Sequence, residues 1–272
     1  MLKSIDALDK GFQATVEKTR KECGEELEEL RKLIFGLKIF ANEVMKDFRE
    51  KRIQRRKWGN SLVTWCFLES WRTCGHLLFL AYNGLYRNAF YNIRHLLESI
   101  IQALYLDSRL RKMENISFLE PDKHIDNLFV KLTILREVED KQEYHASRLI
   151  GKLQIARTHK KRLRKVYGQL SQMIHPTYRQ IESTMHDLTS PNGYAANVDC
   201  TEIKSIHTHL RNVFDIFIFL YITYFSEVKD SLKRKSEFVD YVKTYKLYLT
   251  SKKLGVKLAS MHAQTFLALE RE

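Results

Sequence analysis

GLYRNAFYNIRHLLESIIQALYLD, from Gly84 to Asp107, is the stretch whose reading decides the fold. On a helical wheel of about 100° per residue, Ala89, Ile93, Leu96, Leu97, Ile100, Ile101 and Leu104 fall on one wide face. That spacing is a core helix, predicted over about Leu85 to Asp107. Its neighbours follow the same rule. A long apolar helix is predicted from about Ser61 to Tyr82, ended by Asn83-Gly84. Another is predicted from about Thr201 to Glu227. Only 3 prolines and 10 glycines punctuate the 272 residues. An all-β chain needs turn residues far more often, so the fold class read here is all-α.

Residues 1–57 hold no proline and repeat Leu27, Leu30, Leu33, Ile34, Leu37 and Phe40 at helical steps. They read as a long N-terminal helical arm, folded as a hairpin with a break near Gly24 or Gly36. Residues 111–123 read as a loop, and helices are expected over about Asp122 to Glu137 and Asp140 to Ala156. A basic segment, Arg157 to Lys165, leads into a helix that stops at His175-Pro176, because a residue before proline leaves the α region. Ser190 to Asp199 reads as a loop. The tail reads as two short amphipathic helices split near Gly255. The expected organisation is an arm (1–57), a helical bundle (58–228) and a C-terminal helical extension (229–272).

Lys and Arg total 46 against 33 for Asp and Glu, a formal charge of +13. Such a field draws polyanions: nucleic acid, anionic lipid or an acidic protein. Two clusters concentrate it. Lys46 to Lys57 holds seven basic residues, Arg52, Arg55 and Arg56 among them. Six of the nine residues from Arg157 to Lys165 are basic, namely Arg157, Lys160, Lys161, Arg162, Arg164 and Lys165. The ordinary reading of such runs is a solvated face. The alternative is a phosphate-binding surface. The 4 cysteines, Cys23, Cys66, Cys74 and Cys200, are scattered and imply no disulfide framework, so a reducing, cytoplasmic setting is expected. The N-terminal MLKSIDALDKGFQ has no apolar core of a secretory signal. The most apolar run, Val213 to Phe225, spans 13 residues and contains Asp215, too short to cross a bilayer.

Two helices carry polar flanks beside their apolar faces. On the first, Arg87, Arg94 and Glu98 fall together next to Tyr91 and Tyr105, with Arg94 and Glu98 one turn apart. On the second, Arg164, Ser171 and His175 align near Tyr167. A surface salt bridge and a helix-ending histidine are the ordinary readings. Matching flanks also suit two helices that face each other. Metal sites are disfavoured. Cys66, Cys74 and His76 have no matching second pair, and His207-x-His209 puts its rings on different faces. No glycine-rich phosphate loop, G-x-S-x-G or H-E-x-x-H occurs. No cofactor and no metal are expected.

The segment from Gly84 to Asp107, with R-x3-E at Arg94 and Glu98, resembles the second helix of a prokaryotic branch of the HEPN superfamily. YGQLSQMIHPT, Tyr167 to Thr177, is similar to that branch's Y-x-x-L-S-x-x-x-H-P signature, and the two segments lie in the family's order. The resemblance implies a helical bundle, often dimeric, in a toxin, defence or RNA-processing system. Many such proteins are metal-independent ribonucleases using R-x4-6-H; others only bind. The chain departs from that pattern, since no Arg stands four to six residues before His175. Arg179 and His186 fit the spacing and form a substitute pair. Metal-free RNA cleavage needs a base for the ribose 2′-OH and a cation for the phosphorane. His175 suits the first role and Arg94 the second, with Glu98 orienting the arginine and Ser171 a supporting donor. Arg52, Arg55, Arg56, Lys160, Lys161, Arg162, Arg164 and Lys165 are the expected RNA contacts. The leading expectation is therefore an RNA-binding protein, with endoribonuclease activity open and a homodimer expected. A non-catalytic interaction module, docking a protein partner through residues 1–57, is the alternative. A weaker third reading is peripheral membrane association through the basic face.

Overall fold

The computed structural model describes residues 2–50, 61–113, 145–174, 198–226 and 228–258. Every regular element among them is helical. In chain order these are α1 (Leu2–Glu22), α2 (Gly24–Glu50), α3 (Leu62–Tyr82), α4 (Tyr86–Met113), α5 (Ala146–Lys152), α6 (Arg157–Ile174), α7 (Cys200–Tyr224), α8 (Val228–Lys233), α9 (Ser236–Thr244) and α10 (Tyr248–Leu254). None is long and apolar enough to cross a membrane.

The helix expected over about Leu85 to Asp107 is α4, which runs on to Met113, and it is central. It packs against α3, α6 and α7, with smaller α5 at its side. Ile93, Leu97, Ile100 and Ile101 are fully buried, as their spacing requires. The α3–α4 hairpin is fastened at both ends. At the turn, Asn83 donates from its backbone N–H and its Nδ2 to the Phe79 carbonyl, at 3.2 and 2.7 Å. Gly84 then takes φ 68°, open to glycine without strain. At the other end the Asp107 carboxylate accepts from Ser61 Oγ (2.7 Å) and from the backbone N–H of Leu62 (3.1 Å) and Val63 (3.3 Å). These are first-turn donors with no partner inside their own helix.

α7 is buried without interruption from Val213 to Ile222 and packs on α2, α4, α6 and α10. Its interior position explains why the run is apolar all round. Within the first 50 residues, α2 joins the common core. Leu27, Leu30, Leu33, Leu37 and Phe40 of α2 are almost wholly buried in the same core as α4 and α7. Phe40 sits edge-on to Phe67 (5.1 Å) and Tyr221 (5.5 Å) and stacks on Phe238 (5.6 Å), so one aromatic cluster joins α2, α3, α7 and α9. The described part of the C-terminal extension, residues 229–258, enters the same core through Phe238, Val242, Leu249 and Leu254.

Several boundaries differ from the sequence reading. The break between α1 and α2 falls at Cys23, beside Gly24, while α2 runs straight through Gly36. Gly36 is there for packing: an added Cβ would meet the Tyr241 ring at 1.8 Å, and Tyr241 OH donates to the Leu33 carbonyl at 3.0 Å. Arg157 to Lys165 does not lead into a helix but forms the first half of α6. The helix expected to reach Ala156 ends at Lys152, where Leu153 turns extended and α6 starts afresh. The helix expected to reach Glu227 ends at Tyr224. Gly255, in the left-handed conformation (φ 72°), caps α10, the third of three short helices from Val228 onward, and the helix expected after it lies outside the described residues. The cysteine reading is also corrected. Cys23 and Cys200 form a disulfide, tying the α1–α2 junction to the start of α7 across 177 residues of sequence.

Two outcomes test this packing. Gly36→Ala is expected to destabilise the protein by about 1–3 kcal/mol, because a buried ring has nowhere to retreat; chemical denaturation of the variant measures it. Thiol titration of the denatured, unreduced protein is expected to count two free cysteines, Cys66 and Cys74. Reductant should then expose two more and lower the melting temperature, since a long closed loop is worth about 3–5 kcal/mol.

Candidate functional site: the seam between α4 and α6

The polar flank of α4 meets α6 through Tyr167. Arg94 lies half-buried, with its side chain 22% exposed and that of Glu98 27%. Arg94 Nε donates to Glu98 Oε1 at 2.8 Å, the i,i+4 pairing expected on one helix. Its Nη2 donates across the seam to Tyr167 OH at 2.8 Å. Tyr167 OH in turn donates to the same Glu98 oxygen at 3.0 Å. The three groups close a ring of hydrogen bonds. The guanidinium also stands 5.0 Å from the Tyr167 ring centroid, a cation–π distance. Next along α4, Arg87 Nε donates to the carbonyl of Ile174, the last residue of α6, at 2.8 Å. The terminal carbonyl of a helix lacks a partner in its own helix and carries partial negative charge, which a cation satisfies.

The electrostatics follow from this geometry. Burial works against the charge on Arg94, but its bonds and proximity to Glu98 outweigh that and hold it above the ordinary arginine value. Tyr167 is raised, first by burial and then by the nearby Glu98 carboxylate. The seam therefore keeps a permanent cation, a carboxylate and a neutral phenol in contact. A guanidinium has five N–H donors. Two are engaged with described residues.

The remaining expected residues divide. Ser171 Oγ donates back to the Tyr167 carbonyl at 2.9 Å. Its one proton is thus directed within α6. His175, Arg179, His186, Arg52, Arg55 and Arg56 lie outside the described residues. Lys161, Arg164 and Lys165 are exposed on α6, and Arg164 reaches beside Gly151 of α5. Lys160 Nζ donates to the Gly151 carbonyl at 2.8 Å. Arg162 is not an open phosphate contact. Its Nη2 pairs with Asp215 Oδ2 at 2.9 Å, and Asp215 is 2% exposed. Burial pushes the Asp215 carboxyl up, against the opposing pull of Arg162 and of hydrogen bonds from Leu249 and Thr250.

No local sequence pattern marks Asp107 and Asp215 as ligands of helix ends, or Tyr167 as the bridge between helices. Asp215 was legible as a charge inside an apolar run, though its partners were not. Among the described residues no group of His, Cys, Asp and Glu is placed to hold a metal. His207 and His209 do point apart: His207 lies 6.0 Å from the Tyr245 ring and His209 5.7 Å from Phe90. Cys66 and Cys74 are pushed up to about 12 by burial, so neither is a nucleophile near neutral pH.

No protein-family model matches the chain, and neither a curated protein nor a solved structure matches it.

One pH dependence follows from the two histidines. Burial lowers both, and Arg211 lowers His207 further. The unfolded chain therefore binds protons before the folded one does, and stability falls as pH drops below about 6.5. Thermal melts from about pH 7.5 to pH 5 should show this loss, and the slope should flatten in a His207→Gln, His209→Gln double variant.

Proposed function

We propose that this is an RNA-binding, HEPN-like protein whose α4–α6 seam holds the RNA backbone and that it cleaves RNA without a metal ion. The observation that carries the reading is the Arg94–Glu98–Tyr167 ring. It joins the two segments whose sequences resemble the superfamily, and it presents a half-buried, permanently charged guanidinium at their junction. Glu98 orients Arg94, and Arg94 stabilises the charge of the phosphorane. His175 follows Ile174, which Arg87 holds against α4. In this reading His175 accepts the 2′-OH proton. Lys161, Arg164 and Lys165 supply the salt-sensitive attraction.

The closure of the ring supports a second reading, that of a non-catalytic module. A network in which each group has found a partner also makes a rigid structural joint.

Labelled structured and single-stranded RNA, incubated with the protein in EDTA beside a His175→Ala variant, separates the two. Cleavage that persists in EDTA and vanishes in the variant, with RNA affinity near wild type, is the expected result. Undiminished cleavage by the variant removes His175 as the base. Salt-sensitive binding without cleavage by either protein selects the module.

A further inference from the structure

Phe79 and Tyr91 are the two most exposed large apolar side chains among the described residues, at 63% and 60%. They do not lie apart. They line one groove of about 360 Å³ on the outer face of the α3–α4 hairpin, with His76, Leu80, Asn88 and Asn92. The volume is at the small end for a binding pocket. The walls are set by the hairpin itself. Asn83 fastens the turn through the Phe79 carbonyl, and Asp107 caps α3 at the far end, so the two helices are locked in register. The rings are exposed on a rigid frame.

We propose that this groove takes an unstacked base of single-stranded RNA, lodged against Phe79 and Tyr91. The inference rests on the RNA-binding reading and deepens it, naming the strandedness of the ligand and a second point of attachment. Aromatic rings offer a stacking surface that any base satisfies. The Asn88 and Asn92 amides each present a donor and an acceptor, which suits the edge of a base. Tyr91 connects the groove to the seam, for it lies on the same flank of α4 as Arg87 and Arg94, one turn from each. A strand with its phosphates on Arg87 and Arg94 therefore passes Tyr91.

Charge favours a polyanionic occupant. No carboxylate lines the groove. The protein carries +13, and Arg87 and Arg94 stand one turn from Tyr91, so a polyanion is drawn to this side of α4.

The test measures fluorescence anisotropy of short labelled oligouridine and oligoadenosine, with a duplex of the same sequences as control. The proteins are wild type, Phe79→Ala, Tyr91→Ala and Tyr91→Phe. Both rings are on the surface, so the alanine variants should keep wild-type melting curves. Each alanine variant is expected to lose roughly fivefold to a hundredfold in single-strand affinity, with duplex affinity and the salt slope unchanged. Tyr91→Phe, which keeps the ring, should bind as wild type does. Wild-type binding with no loss in either alanine variant overturns the groove and leaves the RNA reading standing. Absence of wild-type binding to either RNA overturns both. Sedimentation of the same proteins covers the other occupant: a wild-type dimer that becomes monomeric in the alanine variants assigns the groove to a second copy and overturns the proposal.

Discussion

The Asp215 carboxylate, buried in the middle of α7, is the point on which three helices converge. It accepts from the backbone N–H of Leu249 (3.0 Å) and Thr250 (2.9 Å) at the start of α10, and it pairs with Arg162 of α6. Thr250 Oγ1 adds a bond to the Asp215 carbonyl at 3.2 Å. A buried carboxylate is costly unless its oxygens are satisfied. Here both are, by one cation and two helix-end donors. Arg162 also stands 5.9 Å from the Tyr248 ring, so the guanidinium is held from two sides. Removing either charge would leave the other partly buried and alone, which is why the pair constrains the fold more than its own attraction suggests.

That constraint reaches the seam through α6. Arg162 and Tyr167 are five residues apart, about 140° around a helix. With Arg162 fixed on α7, Tyr167 is turned toward α4, where it bridges Arg94 and Glu98. Arg87 then holds the far end of α6. The helix is thus set in rotation at one end by Asp215 and in position at the other by α4. The polar flank that results is a consequence of core packing on the opposite side.

The distribution of charge follows the same division. Of the basic run on α6, Arg162 is committed to the core and Lys160 to the α5 carbonyl end. Lys161, Arg164 and Lys165 remain toward solvent. A run that reads as one patch is split by helical periodicity into structural and open cations. The exposed aromatics on α3 and α4 carry a different chemistry beside them, neutral and planar. The open cations belong to α6 and the aromatics to α3 and α4, with the Arg94–Tyr167 contact joining α4 to α6.

The sequence by itself determined the all-α class and the core faces of α2, α4 and α7, because those depend on local periodicity and on the scarcity of proline and glycine. It also marked Arg94 and Glu98, one turn apart on a single helix. It could not decide that Arg94 meets Tyr167, that Arg162 is spent on Asp215, that Cys23 pairs with Cys200, or that Gly36 makes room for Tyr241. Each of these joins residues tens to hundreds of positions apart. Their meeting depends on how helices rotate and cross, which no local pattern encodes. Gly36 shows the limit well: as a sequence signal it suggests a break, and only the ring packed across it reveals a continuous helix with a missing side chain. What a residue is can be read along the chain, but what it touches is settled by the packing of the whole.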